Sequence, residues 1–156
     1  MKKLLSLSLL LVISALVSAA PARPRPEILG ISLDMKRDVA LVRLKSIGSL
    51  EREARKKQEV WAVKDARISH LLVGYDMDDR VRYVTAIART DGPRIGYHEI
   101  ANVKSAQRSD TPGNHKLTWE IEERRGESFI LIARGHDAQY LDSYSIKKKD
   151  QGEEID

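Results

Sequence analysis

The sequence contains no cysteine, and only 5% of its residues are aromatic, among them two Trp and a single Phe. A chain without cysteine forms no disulfides. It also lacks the cysteine that carries the lipid of an exported lipoprotein. After the N-terminal region, no apolar run approaches the roughly 20 residues that a membrane-spanning helix requires. These absences predict a protein with neither a lipid anchor nor a transmembrane anchor once its N-terminus has been processed.

The N-terminal region has the layout of a secretory signal peptide. Two lysines precede an apolar segment, residues 4–17, and small residues fill most of positions 18–22. The apolar segment is short for a membrane span, so a retained anchor is the less favoured alternative. We predict that residues 1–22 are removed by cleavage between Ala19 and Arg23. The protein is then expected to be exported, either to the periplasm or into the medium.

The remainder of the chain is expected to form one domain with polar ends. The Pro-rich segment 23–27 predicts an extended leader, and residues 150–156 predict a frayed polar tail. Residues 28–149 are enough for one compact domain with its own core. The chain has 27 basic and 23 acidic side chains, and two of the basic ones belong to the signal peptide. A charge this balanced does not indicate a nucleic-acid partner.

The first half predicts a helix. Apolar side chains recur at helical spacing through residues 35–46, and Val39 and Val42 fall on the stripe expected to face the core. Asp34 is the expected N-cap, because its carboxylate can accept the free N–H groups of the first turn. Gly48 is the expected end of the helix, because glycine tolerates the left-handed conformation that often follows one.

Three segments with strand-like alternation come after this helix, beyond a charged stretch at residues 49–58 that is expected to be an exposed connector. The first strand carries Trp61 on its apolar face, and the second covers residues 70–76. The third strand places four side chains on one face, namely Val81, Tyr83, Thr85 and Ile87. Aspartates in the loop between the last two strands predict a hairpin turn.

The second half repeats this pattern more weakly. A poor helical stretch at residues 98–107 precedes Trp119, which matches Trp61 in its strand context. Strand-like segments lie at residues 115–123, 128–134 and 140–148. The second of them is apolar on both faces and is expected to be a central strand covered on both sides. We therefore predict two tandem helix-plus-three-strand units, residues 28–90 and 91–149. The expected fold is α+β, with an antiparallel sheet of about six strands and one or two helices packed on one face.

The first half resembles the SmpA/OmlA (BamE-like) and beta-lactamase-inhibitor-protein (BLIP)-like superfamily of small exported domains. The common pattern is a Gly with a short apolar step, a helix ending near a Gly, a strand with Trp, and a hairpin with an acidic turn. The matching residues are Gly30, Ile31, Ser32, Val39, Ile47, Gly48, Trp61, Val73, Asp76, Arg80 and Val81. The inhibitor proteins are tandem duplications of such a unit, which agrees with the repeat predicted here.

Three departures limit what this resemblance implies. SmpA/OmlA proteins are usually lipoproteins, and the inhibitor proteins hold disulfides, whereas this chain has no cysteine. The Pro that often follows the helix-ending Gly is Ser49 here. The resemblance therefore implies a fold, export and a general tendency to bind proteins. It implies neither outer-membrane assembly nor beta-lactamase inhibition.

The aromatic side chains are the main candidates for both core and binding surface. Trp61 and Trp119 have apolar neighbours on their own strand faces, so we expect both in the core, where helix and sheet meet. If helices cover one face of the sheet, aromatic residues on the other face could anchor a partner protein. The candidate partner-binding residues are Tyr75, Tyr83, Tyr140 and Tyr144, the last two being the stronger.

Three polar groupings have ordinary structural explanations. The aspartates of segment 76–79 are too few for a calcium loop and are expected in a hairpin turn. The glutamates of segment 120–123 fit the solvent side of an antiparallel strand. His136 and Asp137 are neighbours in a predicted turn, without a recognisable nucleophile elsewhere. We therefore predict no catalytic residue, no cofactor and no metal site.

Two functions remain open from the sequence. The favoured one is a non-enzymatic exported protein that binds another envelope or secreted protein. The alternative is a small exported hydrolase, or a glycan- or ligand-binding protein, with a site assembled from distant residues such as His70, His136 and Asp137. A structure separates the two, because a catalytic set must lie within hydrogen-bond reach in a cleft.

Overall fold

A computed structural model describes residues 24–54, 57–122 and 127–149 of the chain. The predicted signal peptide, the tail 150–156 and Glu123 lie outside these residues. The first half opens with a pair of two-residue strands, β1 (Glu27–Ile28) and β2 (Ile31–Ser32), and continues with helix α1 (Arg37–Ile47). Four strands follow: β3 (Gly48–Ala54), β4 (Gln58–Val63), β5 (Ile68–Tyr75) and β6 (Val81–Ala88).

The second half has the same general order with less helix. It begins with β7 (Ile95–Gly96), the single-turn helix α2 (Tyr97–Ile100) and a 3-10 turn at Val103–Ser105. Five strands complete it: β8 (Gln107–Thr111), β9 (Asn114–Glu122), β10 (Ser128–Gly135), β11 (Tyr140–Leu141) and β12 (Ser143–Lys148). β7 and β11 pair with each other as a separate two-stranded ladder.

Eight of these strands form one antiparallel sheet in the order β3-β4-β5-β6-β12-β10-β9-β8. Each half contributes four neighbouring strands, and the last strands of the two halves, β6 and β12, pair at the centre. The expectation of an α+β fold with about six strands was wrong, because 55% of the described residues are strand and 15% are helical. No helix in the described part of the chain is long and apolar enough to span a membrane.

The extra strands come from segments in or beside which other structures were expected. The expected connector at residues 49–58 contains edge strand β3, and the expected helical stretch at residues 98–107 contains only two short turns. From the last residue of that stretch onwards, Gln107–Thr111 forms β8, the opposite edge strand. Edge strands need only one partner and bury little side-chain area, so polar sequences can form them.

The hydrophobic core lies on one face of the sheet, beneath α1 and the β1–β2 pair. Ile31 and Leu44 from these elements are fully buried with Leu71, Val84 and Ile146 from the sheet. At burial free energies of about 1.5–3 kcal/mol for each large aliphatic side chain, this single layer is the main source of stability.

Helix α1 faces the sheet differently from the expectation. Its buried residues are Ala40 and Leu44, whereas Val39 and Val42 are exposed. The helix starts at Arg37, and no side chain caps its N-terminus. Asp34 has a positive φ of 62° and makes an ion pair with Lys148, so it does not act as the N-cap.

The end of α1 also differs from the expectation. Gly48 is extended rather than left-handed, with φ −169°, and the helix passes directly into β3. A Cβ atom at this position would lie 2.1 Å from the carbonyl oxygen of Ala62 on β4. The glycine is therefore required by the close approach of two backbones.

Strand β6 does not keep a single alternation along its length. Tyr75 pairs with Val81, but the preceding residue, Gly74, pairs with Tyr83, so Arg82 is an extra residue in a β-bulge. Beyond the bulge, the residues of β6 that would have faced the core face away from it, and those that would have faced away face the core. Val84 is therefore buried in the core. The expectation that Tyr83, Thr85 and Ile87 share the face of Val81 was therefore wrong.

Candidate functional site: the open face of the sheet

The sheet face opposite α1 carries a second set of apolar side chains. Residues directly opposite each other in an antiparallel pair share a face. One row across this face is Val60, Leu72, Thr85, Ser145, Ile132 and Thr118. We call this surface the open face. Its apolar members are Val60, Ala62, Leu72, Tyr83, Ile87, Ile130 and Ile132.

These open-face side chains are separate from the core. None of the seven belongs to the core cluster or packs against it in the described part of the chain. Val60 and Ile130 are nevertheless buried among their neighbours, and Leu72 and Ile132 are half-buried. The Thr85 and Ser145 hydroxyl groups hydrogen-bond across the central strand pair at 2.8 Å. The centre of the open face is thus a well-packed, mainly apolar surface.

A pair of basic side chains lies beside this apolar centre. Lys116 on β9 and Arg134 on β10 are directly opposite each other and therefore on the same face. Like charges in this position repel, which destabilises a strand pair. Neither side chain forms an ion pair with any described residue, whereas nearby Glu120 is already paired with Lys149. The open face therefore has two adjacent positive charges that could bind an anionic group.

The four candidate tyrosines do not form one surface. Tyr83 lies on the open face, with its ring over Gly74. Tyr75 is buried in the core, where burial and then the charge of Glu59 raise the pKa of its hydroxyl well above the usual range. Tyr75 is therefore unavailable to a partner, which corrects the expectation for that residue.

The two tyrosines expected to be the stronger candidates also lie away from the open face. Tyr140 is 36% exposed on β11, and the guanidinium of Arg94 lies 4.5 Å from its ring centroid. Tyr144 is opposite Ala86 and Ala133 in the sheet, on the face that carries the core. Sequence alternation alone could not show this, because it does not tell which face of the sheet is covered.

Both tryptophans lie in the core. Trp61 and Trp119 are 2% and 3% exposed, and each indole N–H has an acceptor. Trp61 donates to the Glu59 carboxylate at 3.0 Å, and Trp119 donates to the backbone oxygen of Asn102 at 2.9 Å. Strand alternation predicts that Glu59, Trp61 and Val63 share one face of this strand. That the Glu59 carboxylate is buried and accepts the indole N–H is shown only by the structure.

The three residues named for the hydrolase alternative, His70, His136 and Asp137, each have other hydrogen-bond partners in the structure. His70 contacts the side chains of Ser69 and Glu51. His136 pairs with Asp142, and Asp137 pairs with Arg94 and accepts the backbone N–H groups of Gln139 and Tyr140. His136 and Asp137 are neighbours in one turn but pair with different residues, and no hydrogen bond between described residues joins either of them to His70.

The aspartates of the β5–β6 hairpin stabilise its turn. Asp76 accepts the backbone N–H groups of Asp78 and Arg80, both at 2.9 Å. Lys57 reaches Asp79 at 3.0 Å. Within the described ranges there is no group of three or more acidic or histidine side chains that could hold a metal ion.

A small cleft on the core side is the second candidate place for a ligand. It has a volume of about 260 Å³ and is lined by Asp65, Arg67, Ile68, Ile95, Glu99, Ile100 and Tyr144. Arg67 Nη2 donates to Glu99 at 2.8 Å, but Arg67 Nε is buried without a hydrogen-bond partner. Burial raises the pKa of the Tyr144 hydroxyl.

No known family model, curated protein or solved structure matches this chain.

Proposed function

We propose that the mature chain is an exported, non-enzymatic protein that binds another envelope or secreted protein on its open face. The proposal rests on the apolar centre of the open face and on the two positive charges beside it, Lys116 and Arg134, which face each other across β9 and β10. Proteins tolerate such a local conflict mainly where function requires it. A carboxylate from a partner, placed between the two side chains, would attract both of them and offset part of their mutual repulsion.

The same arrangement defines the chemistry of the partner. Apolar side chains of the partner would bury the centre of the open face, around Leu72 and Ile132, and supply affinity. An Asp or Glu of the partner would lie over Lys116 and Arg134, where charge complementarity contributes mainly to specificity and association rate. We therefore expect a partner surface with apolar residues flanked by acidic ones.

Export belongs to the same proposal and rests on residues 1–22. The resemblance to the SmpA/OmlA and BLIP-like superfamily supports export. In each half, four strands lie side by side in the order in which they occur in the chain, which is compatible with a tandem repeat like that of the inhibitor proteins. N-terminal sequencing of the protein recovered from envelope and medium fractions tests export. Mature chains are expected to begin between residues 20 and 23, and a chain retained in the cytoplasm with Met1 would contradict the proposal.

Site-specific photo-crosslinking in the host tests the binding face. A photoreactive residue replaces Leu72 on the open face, and the control replaces Val42, which is exposed on α1 away from that face. We expect a discrete protein adduct from position 72 and none from position 42. The adduct should be lost when Lys116→Glu and Arg134→Glu are combined, and kept when exposed Lys64 is changed to Glu.

Two outcomes would reject this assignment. One is the absence of a position-72 adduct in a protein that is folded and exported. The other is an adduct whose yield does not change with the charge of residues 116 and 134. In both cases the folded state of each variant is checked by circular dichroism, so that loss of structure is not mistaken for loss of binding.

The cleft supports a second candidate function, the binding of a small ligand. The buried, unpartnered Nε of Arg67 requires a hydrogen-bond acceptor, since an unsatisfied buried donor is costly. Asp65 and Glu99 make the cleft unfavourable for an anion, so a neutral carbonyl or hydroxyl compound fits best. Ligand-observed NMR with a set of small amides and sugars tests this, with Arg67→Ala as the control that should abolish any signal.

A further inference from the structure

Strand β8 ends the sheet with an edge that no described strand covers. It pairs with β9 on one side only, and all five of its residues are exposed. An edge strand presents a row of N–H and C=O groups that can pair with another chain. Unlike many edge strands, Gln107–Thr111 keeps a regular register with β9 throughout its length.

The charges of β8 are complementary to themselves. Arg108 and Asp110 are two residues apart, lie on the same face and form an ion pair within the strand. When a second β8 is aligned antiparallel about Ser109, each Arg108 is opposite the Asp110 of the second copy. The four charges then alternate in sign around a twofold axis. Facing residues of opposite charge stabilise an antiparallel ladder.

The other edge of the sheet does not have this property. Strand β3 has a register shift between Leu50 and Arg52, where Glu51 is the extra residue. A bulge bends and twists the strand and protects an edge from pairing. The two edges therefore differ in the same molecule, and β3 supplies a matched control for β8.

We propose that the protein forms a twofold homodimer through antiparallel pairing of β8 with β8 of a second copy, centred on Ser109. The pairing joins the two eight-stranded sheets into one continuous sheet. A five-residue edge makes a small interface, so the dimer is weak and depends on concentration. The inference stands on the edge geometry and does not depend on the proposed partner of the open face.

Cysteine crosslinking tests the register directly, because the chain has no native cysteine. Ser109→Cys places two thiols opposite each other at the axis, where Cβ atoms of facing residues lie about 4.5–5.5 Å apart, close to the separation that a disulfide needs. Ser49→Cys on β3 is the control, since it is also an exposed serine on an outermost strand. Under mild oxidation, Ser109→Cys should form a covalent dimer much faster than Ser49→Cys.

Charge reversal tests the complementarity, read out by sedimentation velocity over a concentration series. Arg108→Asp or Asp110→Arg alone places side chains of the same charge opposite each other in the dimer. Either change should weaken dimerisation by roughly tenfold. The combined Arg108→Asp and Asp110→Arg variant recreates opposite pairs and should restore it. Equal crosslinking rates for the two cysteine variants overturn the proposal, and so does failure of the combined variant to dimerise when its dilute monomer melts like the parent.

Discussion

The indole N–H of Trp61 donates a 3.0 Å hydrogen bond to the carboxylate of Glu59, its neighbour on the same face of β4. Glu59 is only 2% exposed. Its other donors are the Tyr75 hydroxyl at 3.1 Å and Arg37, whose Nη2 is 2.6 Å away. The buried carboxylate therefore connects α1, β4 and β5 in one polar network, whose Arg37 side chain is partly exposed.

Replacing Glu59 is expected to be among the most destabilising single changes in the protein. Glu59→Ala removes the ion-pair partner of Arg37, whose side chain is 34% exposed. It also leaves the buried donors of Trp61 and Tyr75 without their shared acceptor, at about 1–3 kcal/mol for each unsatisfied buried donor. Urea unfolding measures the loss. Glu53→Ala is the control, because Glu53 is mostly exposed and 4.0 Å from Arg37, and it should change stability by less than about 1 kcal/mol. If Glu59→Ala lowers the free energy of unfolding as little as Glu53→Ala is expected to, the network has little energetic importance.

The two tryptophans are expected to contribute comparably to stability. Trp61→Ala and Trp119→Ala each remove a large buried side chain and orphan an acceptor, at an expected cost of about 3–5 kcal/mol. Val42→Ala serves as the control, because Val42 is 73% exposed and should change stability by less than about 0.5 kcal/mol. Melting temperatures from calorimetry provide the comparison. An unchanged melting temperature in either tryptophan variant would contradict its role in the core.

Glu99 is expected to make the stability depend on pH in the acid range. The backbone N–H of Gly96, and then Arg67, lower the pKa of its carboxyl in the folded protein. A lowered folded-state pKa stabilises the protein above the unfolded pKa of about 4.3, and this contribution is lost as the pH falls through the folded value. Glu99→Gln should therefore be less stable than the parent at pH 7.

The size of that difference should decrease as the pH is lowered. Once the parent carboxyl is protonated in both folded and unfolded states, the two proteins have the same charge at position 99. Denaturant unfolding of both proteins between pH 7 and pH 2.5 gives the comparison. A difference that stays constant over this range would mean that Glu99 stabilises the fold by neutral hydrogen bonding alone.

Gly74 and Tyr83 are expected to be energetically coupled on the open face. A Cβ atom at position 74 would lie 2.1 Å from the Tyr83 ring, so Gly74→Ala must displace the ring and should destabilise the protein. In a Tyr83→Ala background the same change meets no ring. There it should be neutral or stabilising, because glycine is unfavourable in a strand by about 0.5–1 kcal/mol. A double-mutant cycle measures the coupling, and additive effects would exclude it.

The strands that contain the tryptophans were predictable because their alternation is local. β4 and β9 coincide with the segments expected around Trp61 and Trp119. The buried face of α1 was not predictable in the same way. Apolar residues lie on several sides of this helix. Ala40 and Leu44 are buried because their side of the helix contacts β1–β2 and the sheet, whereas Val39 and Val42 lie on other sides.

The candidate binding site was only partly predictable for a related reason. An open sheet face was expected, and of the four tyrosines placed on it only Tyr83 lies there. Lys116 and Arg134, both positively charged, face each other only because of the register between β9 and β10. No sequence pattern near either residue specifies that register.

The sequence by itself determined that this chain has two tryptophan-containing strands and no cysteine. These features are local, and composition and alternation express them directly. Only the tertiary structure decided that β6 and β12 meet at the centre of the sheet and that β3 and β8 form its edges. It also decided, through the bulge at Arg82, which side chains of β6 face the core. Strand order and bulges depend on contacts between residues far apart in the chain, so they follow from packing rather than from local pattern.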